Sequence, residues 1–380
     1  MRLTLIATAA TVGSALAAQA GGLDRSGQDI GILFEAGNRL ELTVGGARPS
    51  LDGVENGSTG TTNTIGNIGE TFGTLGAGLR YEVSPALALA VVVDQPYGSD
   101  IVYPGSPTGS ALGGTTATVD TYAITALARY KFNDAFSMHG GLRYQEIAAS
   151  VDLRGLAYGG LNGYRGEFDS DGAMGYVIGA AFERPEIGLR VALTYNSEIT
   201  HDLPTRETLN GTPIAPPGVT EVSTPEALNL EMQTGIAADT LLFGSDRYAR
   251  YSDTRVSPLA FDGAVDPTVP GSSITDIEDS TDYEIGIGRR FNDKFSGQIA
   301  VGFQSGGSDT LVSPLAPTDG AKYLSVGGSY KINDAFTLSG GVRYTRFGDA
   351  QAETGTPDTA RADFNDNSAV SAGFKIAYTF

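Results

Sequence analysis

The chain has 380 residues with no cysteine and no tryptophan, and its 25 basic and 44 acidic side chains give a formal net charge of −19. The missing cysteines exclude disulfides and thiolate metal sites, and the acidic balance argues against nucleic-acid binding, which depends on basic patches. The length allows two or three domains, but no Pro/Ser-rich linker or change of composition divides the chain, so we expect one large domain.

The first twenty residues have the pattern of a signal peptide. Arg2 supplies a positive charge, a short apolar run covers residues 3–16, and Ala18, Gln19 and Ala20 form a small-residue cleavage site. We therefore predict a signal peptide over residues 1–20 and export through the inner membrane. No later stretch has the ~18 uninterrupted apolar residues of a transmembrane helix.

Residues 21–37 are rich in glycine and follow neither a strand period nor a helix period. We predict that they form a short N-terminal hatch segment folded inside a barrel, with a frayed tail as the alternative. Its apolar residues Leu23, Ile30, Ile32, Leu33 and Phe34 are candidates to line a hydrophobic passage.

A hairpin unit then recurs along the chain. Between residues 324 and 344, apolar residues and glycines alternate with polar ones on both sides of Asn333 and Asp334. This two-residue period is typical of strands with one apolar face, and the Asn-Asp pair is typical of a tight turn. The same unit appears over residues 129–144 and 290–304, which indicates a repetitive all-β architecture.

Counting strands by their turns predicts a 14-stranded antiparallel transmembrane β-barrel over residues 38–380. The alternative of a soluble β-helix or sandwich stays open. The predicted strands lie near residues 39–48, 71–81, 86–95, 118–131, 136–153, 168–182, 188–200, 227–236, 241–256, 281–290, 295–305, 321–331, 336–348 and 368–380.

The connections alternate between tight turns and long loops, as in bacterial outer-membrane barrels. Short turns on the periplasmic side and an even strand count predict that both termini are periplasmic, in the cell outer membrane of a Gram-negative bacterium. Aromatic residues near the turns predict a belt at the membrane surface. They are Tyr81, Tyr130, Phe132, Phe136, Phe291, Phe295, Tyr330, Phe336 and Phe380.

With fourteen strands, an inserted N-terminal segment and a terminal Phe380, the chain resembles the FadL-type outer-membrane transporters of long-chain fatty acids and other hydrophobic compounds. The stretches 22–27, 224–230 and 234–240 support the resemblance. It implies passive uptake without a cofactor, contact with outer-membrane lipids, and recognition of the last strand by the barrel assembly machinery. In this family ligands leave sideways through a kinked strand. Here the only candidate for the kink is a break of alternation at residues 244–246, and the family's Asn-Pro-Ala hatch motif is missing.

Alternation also predicts a basic collar on the inner wall near the tight turns. The hatch acids Asp24, Asp29 and Glu35 are candidates to pair with it and hold the hatch in place. Alternatively, Arg129, Arg143 and Arg343 bind the carboxylate of a fatty acid, together with Leu23, Ile30, Ile32 and Phe34. The full collar is Arg80, Arg129, Lys131, Arg143, Lys331, Arg343 and Lys375.

Two further functions remain possible beside the transporter. A general porin would have an open lumen, and a structural surface barrel would have no lumen pocket. We expect no enzyme, because the chain has only His139 and His201 and no catalytic motif.

The acidic loop of residues 257–279 could bind a divalent cation, or could simply be solvated. A calcium-loop match at residues 363–374 fails because it lacks the required Gly and Glu.

Overall fold

The computed structural model describes residues 23–265, 271–355 and 357–380, so the expected signal peptide and residues 21 and 22 lie outside the described part. Within that part, fourteen antiparallel strands, labelled β1 to β14, form a closed barrel. Three of them are interrupted and have two segments. Their bounds are Arg39–Ser50, Phe72–Ser84, Leu87–Asp94 with Gly98–Val102, Thr116–Lys131, Phe136–Leu153, Tyr164–Arg184, Leu189–Asn196 with Ile199–Leu209, Gly218–Thr224 with Ala227–Ala237, Thr240–Ala249, Ser280–Arg290, Phe295–Gln304, Ala321–Lys331, Phe336–Phe347 and Ser368–Thr379.

Closure is made by the first and last strands. β14 pairs with β1 along their full lengths, from Arg39 opposite Thr379 to Ser50 opposite Ser368. A closed barrel leaves no sheet edge, so its backbone groups are paired without water, as a bilayer interior requires. The predicted all-β, 14-stranded antiparallel barrel is confirmed.

The tight turns are built by the side chain of the recurring asparagine. The Asn133 Oδ1 atom accepts hydrogen bonds of 2.9 Å from the backbone N–H groups of Ala135 and Phe136. Asn292 and Asn333 do the same two and three residues ahead. An asparagine that bonds its own following backbone is an Asx turn, which explains why the Asn-Asp pair marks three of the hairpins.

The outer face of the barrel is apolar. On β12, Leu324 and Val326 point outward with 44% and 52% of their surface exposed, whereas Ser325 between them is 1% exposed and faces inward. The nine aromatic residues predicted to form a belt are all exposed as well. A continuous apolar girdle of this kind is typical of a surface covered by lipid.

At the end of the barrel away from the tight turns, here the loop end, the sheet extends beyond the prediction. β7 and β8 continue through most of residues 201–226, which we had expected to be a long loop, and leave only a short connection with the two-residue strand Thr212–Pro213. A second, five-stranded sheet also forms there from the long loops. Its strands are Gly53–Glu55, Thr64–Ile65, Leu311–Val312, Ala350–Thr354 and Thr359–Phe364.

Helices are few and short. Among the described residues, none of them has the length and apolar character needed to cross a bilayer. Within residues 23–265, 271–355 and 357–380, the one α-helix is Leu259–Val265, and the 3-10 helices are Gly31–Phe34, Leu156–Leu161, Pro185–Ile187 and Tyr251–Asp253.

The lipid-facing side can be tested at Val326. We expect Val326→Arg to lower the free energy of unfolding in lipid vesicles by roughly 2–4 kcal/mol, because it places a charge in the hydrocarbon layer. Val219→Arg is the matched control, since Val219 is 66% exposed but lies at the loop end of β8, outside an apolar band about 25 Å tall. Equal effects of the two changes, measured by urea unfolding, would contradict a lipid-facing girdle.

Candidate functional site

An enclosed apolar cavity lies in the loop half of the barrel. Its volume is about 70 Å³. Side chains from β4 to β8 form most of its wall, Leu23 of the hatch segment contributes from one side, and the long loops close it with Val256, Ile277 and Leu315. The strand residues that line it include Ala117, Val119, Ile147, Ala149, Phe168, Leu203 and Val222.

Among the described residues, no charged side chain lines this apolar cavity. Its polar groups are hydroxyls, and the Thr254 Oγ1 atom is buried without a hydrogen-bond partner in the described structure. An apolar cavity stays dry and binds apolar molecules. The arrangement therefore suits a hydrophobic ligand without a formal charge.

The hatch segment is anchored to the barrel wall by a buried ion pair. Asp24 lies 2.7 Å from the Arg247 guanidinium of β9, and both side chains are more than nine-tenths buried. Arg247 also donates hydrogen bonds to Asn229 at 2.7 Å and to Gln28 at 3.3 Å. Arg247 was not among the cations predicted for the collar, because the phase of β9 could not be read from its mixed sequence.

The other two hatch acids have different partners. The Asp29 Oδ1 atom accepts a hydrogen bond of 2.7 Å from the Gly31 N–H, within the hatch itself. Glu35 lies 3.5 Å from Arg39 at the start of β1. Burial, the largest influence, raises the pKa of Glu35, and Arg39 opposes it. Arg80 is the predicted collar residue that holds the hatch. It donates hydrogen bonds to the backbone carbonyls of Leu33 and Gly37 and does not pair with a hatch acid.

The apolar hatch residues are divided between two places. Leu23 lines the apolar cavity, while Ile30, Ile32 and Phe34 pack in a separate cluster near the tight turns, with Ala90, Leu127 and Val177 of the wall. The Phe34 ring lies between two guanidinium groups, 4.6 Å from that of Arg129 and 4.8 Å from that of Arg190. Of the predicted hydrophobic ligand contacts, the structure thus places Leu23 in this cavity.

The three arginines predicted to meet a carboxylate are buried and engaged with the wall. Arg129 pairs with Glu183, and Arg143 donates to Thr125 at 2.8 Å and to Asn196 at 3.0 Å. Arg343 lies 2.8 Å from Glu284. None of them lines the apolar cavity. Their role in ligand binding stays a prediction, and the alternative of plain structural pairing agrees with these contacts.

The rest of the collar separates by position. Lys375 is buried and lies 3.1 Å from Glu41. Lys131 and Lys331 follow the inward phase but are exposed at the last residues of β4 and β12. The basic collar inside the lumen is therefore smaller than predicted, because the Lys131 and Lys331 side chains lie outside the enclosed lumen.

The barrel wall has a gap between β2 and β3, here called the wall window. β2 pairs with β3 only up to Ala77 opposite Val93. The second segment of β3 pairs with β4. On its other side it bonds to residues 68–70, which precede β2, so the gap is limited to residues 72–76 of β2, which have no strand partner on this side. At the gap, the Gln95 Oε1 atom accepts a hydrogen bond of 3.0 Å from the Leu75 N–H.

The window corrects our expectation about the strand break. The candidate at residues 244–246 is wrong, because β9 pairs there without interruption with both β8 and β10. One strand break lies at residues 95–97 of β3, where Pro96 removes a backbone donor. β7 and β8 are interrupted as well, and β6 and β7 have no ladder pairing between Val177 opposite Asn196 and Phe168 opposite Thr205. Gln95 and Pro96 were the available signal, but we had assigned them to the end of a strand and the start of a loop.

The acidic loop forms part of a cavity of about 240 Å³ at the loop end, lined by carboxylates including Asp276 and Glu278. Burial and the neighbouring Asp358, Asp276 and Asp309 raise the pKa of Glu353 there to about 7. Residues 266–270 of this loop lie outside the described part. Among the residues that are described, no group of three or more acidic or histidine side chains is arranged to hold a metal ion.

Comparison with known proteins extends these observations. The family described as outer membrane protein transport protein (OMPP1/FadL/TodX) matches residues 50–380. Among solved structures, the chain is similar to a FadL homologue of Pseudomonas aeruginosa, with a TM-score of 0.72, 14% identity and 98% of both chains covered. No curated protein matches the sequence.

Two toluene transporters have the same fold. The chain matches TodX of P. putida with a TM-score of 0.65, 11% identity and 92% of both chains covered. It matches TbuX of Ralstonia pickettii with a TM-score of 0.62, 14% identity and 97% of both chains covered. At these identities the structural likeness establishes only the fold, whereas the family match also establishes membership of the family. That match shows that the chain belongs to the FadL and TodX family of outer-membrane transport proteins, which take up hydrophobic compounds, and not to the general porins.

Proposed function

We propose that the substrates of this outer-membrane transporter are small, uncharged hydrophobic compounds that bind in the apolar cavity. The observation that carries the proposal is that none of the described residues lining the cavity has a charged side chain. A buried carboxylate without a cationic partner is strongly disfavoured. Toluene, which the names of TodX and TbuX give as their substrate, is a compound of the proposed class.

The size of the cavity supports the same substrate class. A second cavity of about 80 Å³, here the middle cavity, shares the lining residues Ser99, Leu315 and Ala316 with the apolar cavity. An engineered apolar cavity of about 150 Å³ holds benzene, so the two adjoining spaces suit a small aromatic compound better than a long acyl chain. Long-chain fatty acids remain the alternative substrate, with Arg129, Arg143 or Arg343 as carboxylate partners.

The wall window is the proposed exit. Between the apolar cavity and the tight turns, the lumen contains the hatch, polar side chains such as Arg247 and Asp94, and a cavity of about 150 Å³ with charged lining residues. A hydrophobic molecule that reaches the wall window can move sideways into lipid, which is a favourable transfer of apolar surface. The cavity beside the window has charged lining residues such as Asp94 and Lys375, so the lipid outside the window, not the cavity, favours this exit. The hatch then serves as a plug for water and ions.

The remaining assignments follow the same proposal. Both termini lie in the periplasm, residues 21–37 are the hatch, and the protein has no catalytic role. The final strand presents Phe380 to the barrel assembly machinery. In support, the Phe380 ring stacks on Tyr378 with 5.5 Å between centroids, and Tyr378 stacks on Phe336 at 4.8 Å, so the last strand ends in an ordered, exposed aromatic patch.

Filling the apolar cavity tests its role. We expect Ala149→Phe to reduce the initial uptake of radiolabelled naphthalene by about tenfold or more in cells that produce the protein, since the new ring occupies the space that one ligand ring needs. Ala126→Phe is the matched control. It makes the same change on the exposed face of β4 and should leave uptake unchanged.

The same cells separate the two substrate classes. Naphthalene uptake above that of cells with an empty vector, with oleate uptake unchanged, supports the proposal. If only oleate uptake responds to the protein, the substrate is a fatty acid and the neutral-ligand proposal is wrong. If neither responds, the apolar cavity is not a substrate site.

Deleting residues 21–34 tests the plug. We expect the single-channel conductance in planar bilayers to rise at least several-fold, because the deletion removes the ion pair between Asp24 and Arg247 and opens the lumen to water. The full-length protein in the same bilayers is the control. Equal conductance of the two proteins would show that the segment does not block ions.

A further inference from the structure

The cavity of about 240 Å³ at the loop end, here called the acidic cavity, is lined by seven carboxylates and by no described lysine, arginine or histidine. Three long connections supply these carboxylates, namely those between β9 and β10, β11 and β12, and β13 and β14. We propose that the acidic cavity binds a divalent cation together with its water shell, and that Mg²⁺ is the ion that fits best. The seven carboxylates belong to Asp276, Glu278, Asp279, Asp309, Asp319, Glu353 and Asp358.

The carboxylates of the acidic cavity have neutral partners. Glu278 accepts hydrogen bonds of 2.5 and 2.7 Å from the backbone N–H and the hydroxyl of Ser308, and Asp319 accepts one of 2.6 Å from a backbone N–H. Among the described residues, none of the seven carboxylates forms an ion pair with a basic side chain. Arg250 attracts Asp279 from outside the lining, but its own ion pairs are with two other carboxylates. The described part of the protein therefore leaves the negative charge in the cavity unbalanced.

Glu353 presents a free, buried carboxylate oxygen to the acidic cavity. The residue is only 7% exposed, and its Oε2 atom has no hydrogen-bond partner in the described structure. Burial, and then the repulsion from Asp358, Asp276 and Asp309, raises the pKa of Glu353 to about 7. A buried acceptor oxygen without a partner is costly. The free oxygen therefore indicates a positively charged ligand in this cavity.

The donor atoms and the space identify the class of cation. The described lining offers carboxylate, hydroxyl and amide oxygens but no thiolate or imidazole, and Mg²⁺ and Ca²⁺ prefer such oxygen ligands. No three of the described carboxylates are arranged to bind one bare ion, whereas a hydrated ion reaches more distant carboxylates through its water molecules. Mg²⁺ gives up its waters reluctantly. At about 30 Å³ for each water, the 240 Å³ cavity has room for roughly eight.

A cation in the acidic cavity joins loops that otherwise repel one another. Leu311 pairs with Gln351 in the five-stranded sheet, close to Glu353, so two of the three connections already meet beside the cavity. The acidic cavity also shares the lining residues Ile277 and Ala316 with the apolar cavity. The bound cation therefore fastens the loops that close the apolar cavity, whichever substrate that cavity takes.

Calorimetric titration of the detergent-solubilised, EDTA-treated protein with MgCl₂ tests the site, in about 0.15 M NaCl to screen exposed charges. We expect saturable binding with a Kd of about 0.1–1 mM, the range of extracellular Ca²⁺ sites. Glu353→Gln keeps the shape of the side chain and removes its charge, and should weaken binding by about tenfold or more. Asp276→Asn makes the same kind of change at the exposed rim, and should weaken binding by about threefold.

The matched control is Glu221→Gln. Glu221 is exposed at the loop end of β8 and does not line the acidic cavity, so the Kd should stay within about twofold. Hydrogen exchange locates the bound ion, because protection reports local opening. Mg²⁺ should slow amide exchange in residues 305–320 and 350–355 of the unmodified protein, but not in the Glu353→Gln variant. Residues 199–209 at the same end of the barrel should not respond.

Each other outcome counts against the site. Absence of saturable Mg²⁺ binding by the unmodified protein overturns the proposal. Equal weakening by Glu221→Gln and Glu353→Gln overturns it as well, because it would show diffuse attraction to an acidic surface. Spermidine binding without Mg²⁺ binding would make the cavity a site for organic cations, and Ca²⁺ binding more than tenfold tighter than Mg²⁺ binding would contradict a hydrated ion. None of these results bears on naphthalene uptake, which tests the proposed function separately.

Discussion

The structure depends on one constraint, that backbone N–H and C=O groups inside a bilayer need partners within the protein. Closure of β14 on β1 satisfies this for the barrel. The break in β3 violates it locally, since Pro96 has no donor and residues 72–76 lose their strand partner. The hatch restores part of the pairing, because Leu23 and Arg25 take up hydrogen bonds with Gly98 and Pro96. The segment that we propose to close the lumen therefore also completes part of the wall beside its opening.

Charge is distributed along the lumen in a way that matches a hydrophobic cargo. Near the tight turns, buried arginines are paired with wall carboxylates, as Arg129 is with Glu183 and Arg343 with Glu284. Toward the loop end, the apolar cavity has no charged lining. The two regions meet at the hatch, where Asp24 and Arg247 form a buried pair. Breaking this pair would leave an uncompensated buried charge. The pair therefore keeps the hatch in place between the charged region and the apolar region.

Much of the fold could be predicted from local pattern. Every predicted strand corresponds to a barrel strand, because alternation and the asparagine turns are properties of neighbouring residues. The extensions of β7 and β8 could not be found, since Pro204 and Pro225 with their polar surroundings are typical of loops and their pairing depends on partners far along the chain. The strand break was also missed, because one Pro after a strand marks a loop equally well.

The sequence by itself predicted the export signal, the closed barrel and the inward orientation of the buried arginines, because each depends on the spacing of residues along the chain. The resemblance to the family was also visible in the sequence. Only the tertiary structure decided that Leu23 lines a cavity while Phe34 packs elsewhere, that Arg247 anchors the hatch, and that Arg25 bridges Phe72 and Asp100. Curvature and register bring together Asp24 and Arg247, which lie 223 positions apart in the chain. No local period encodes such contacts, so the cavity and the contacts around it exist only in the folded barrel.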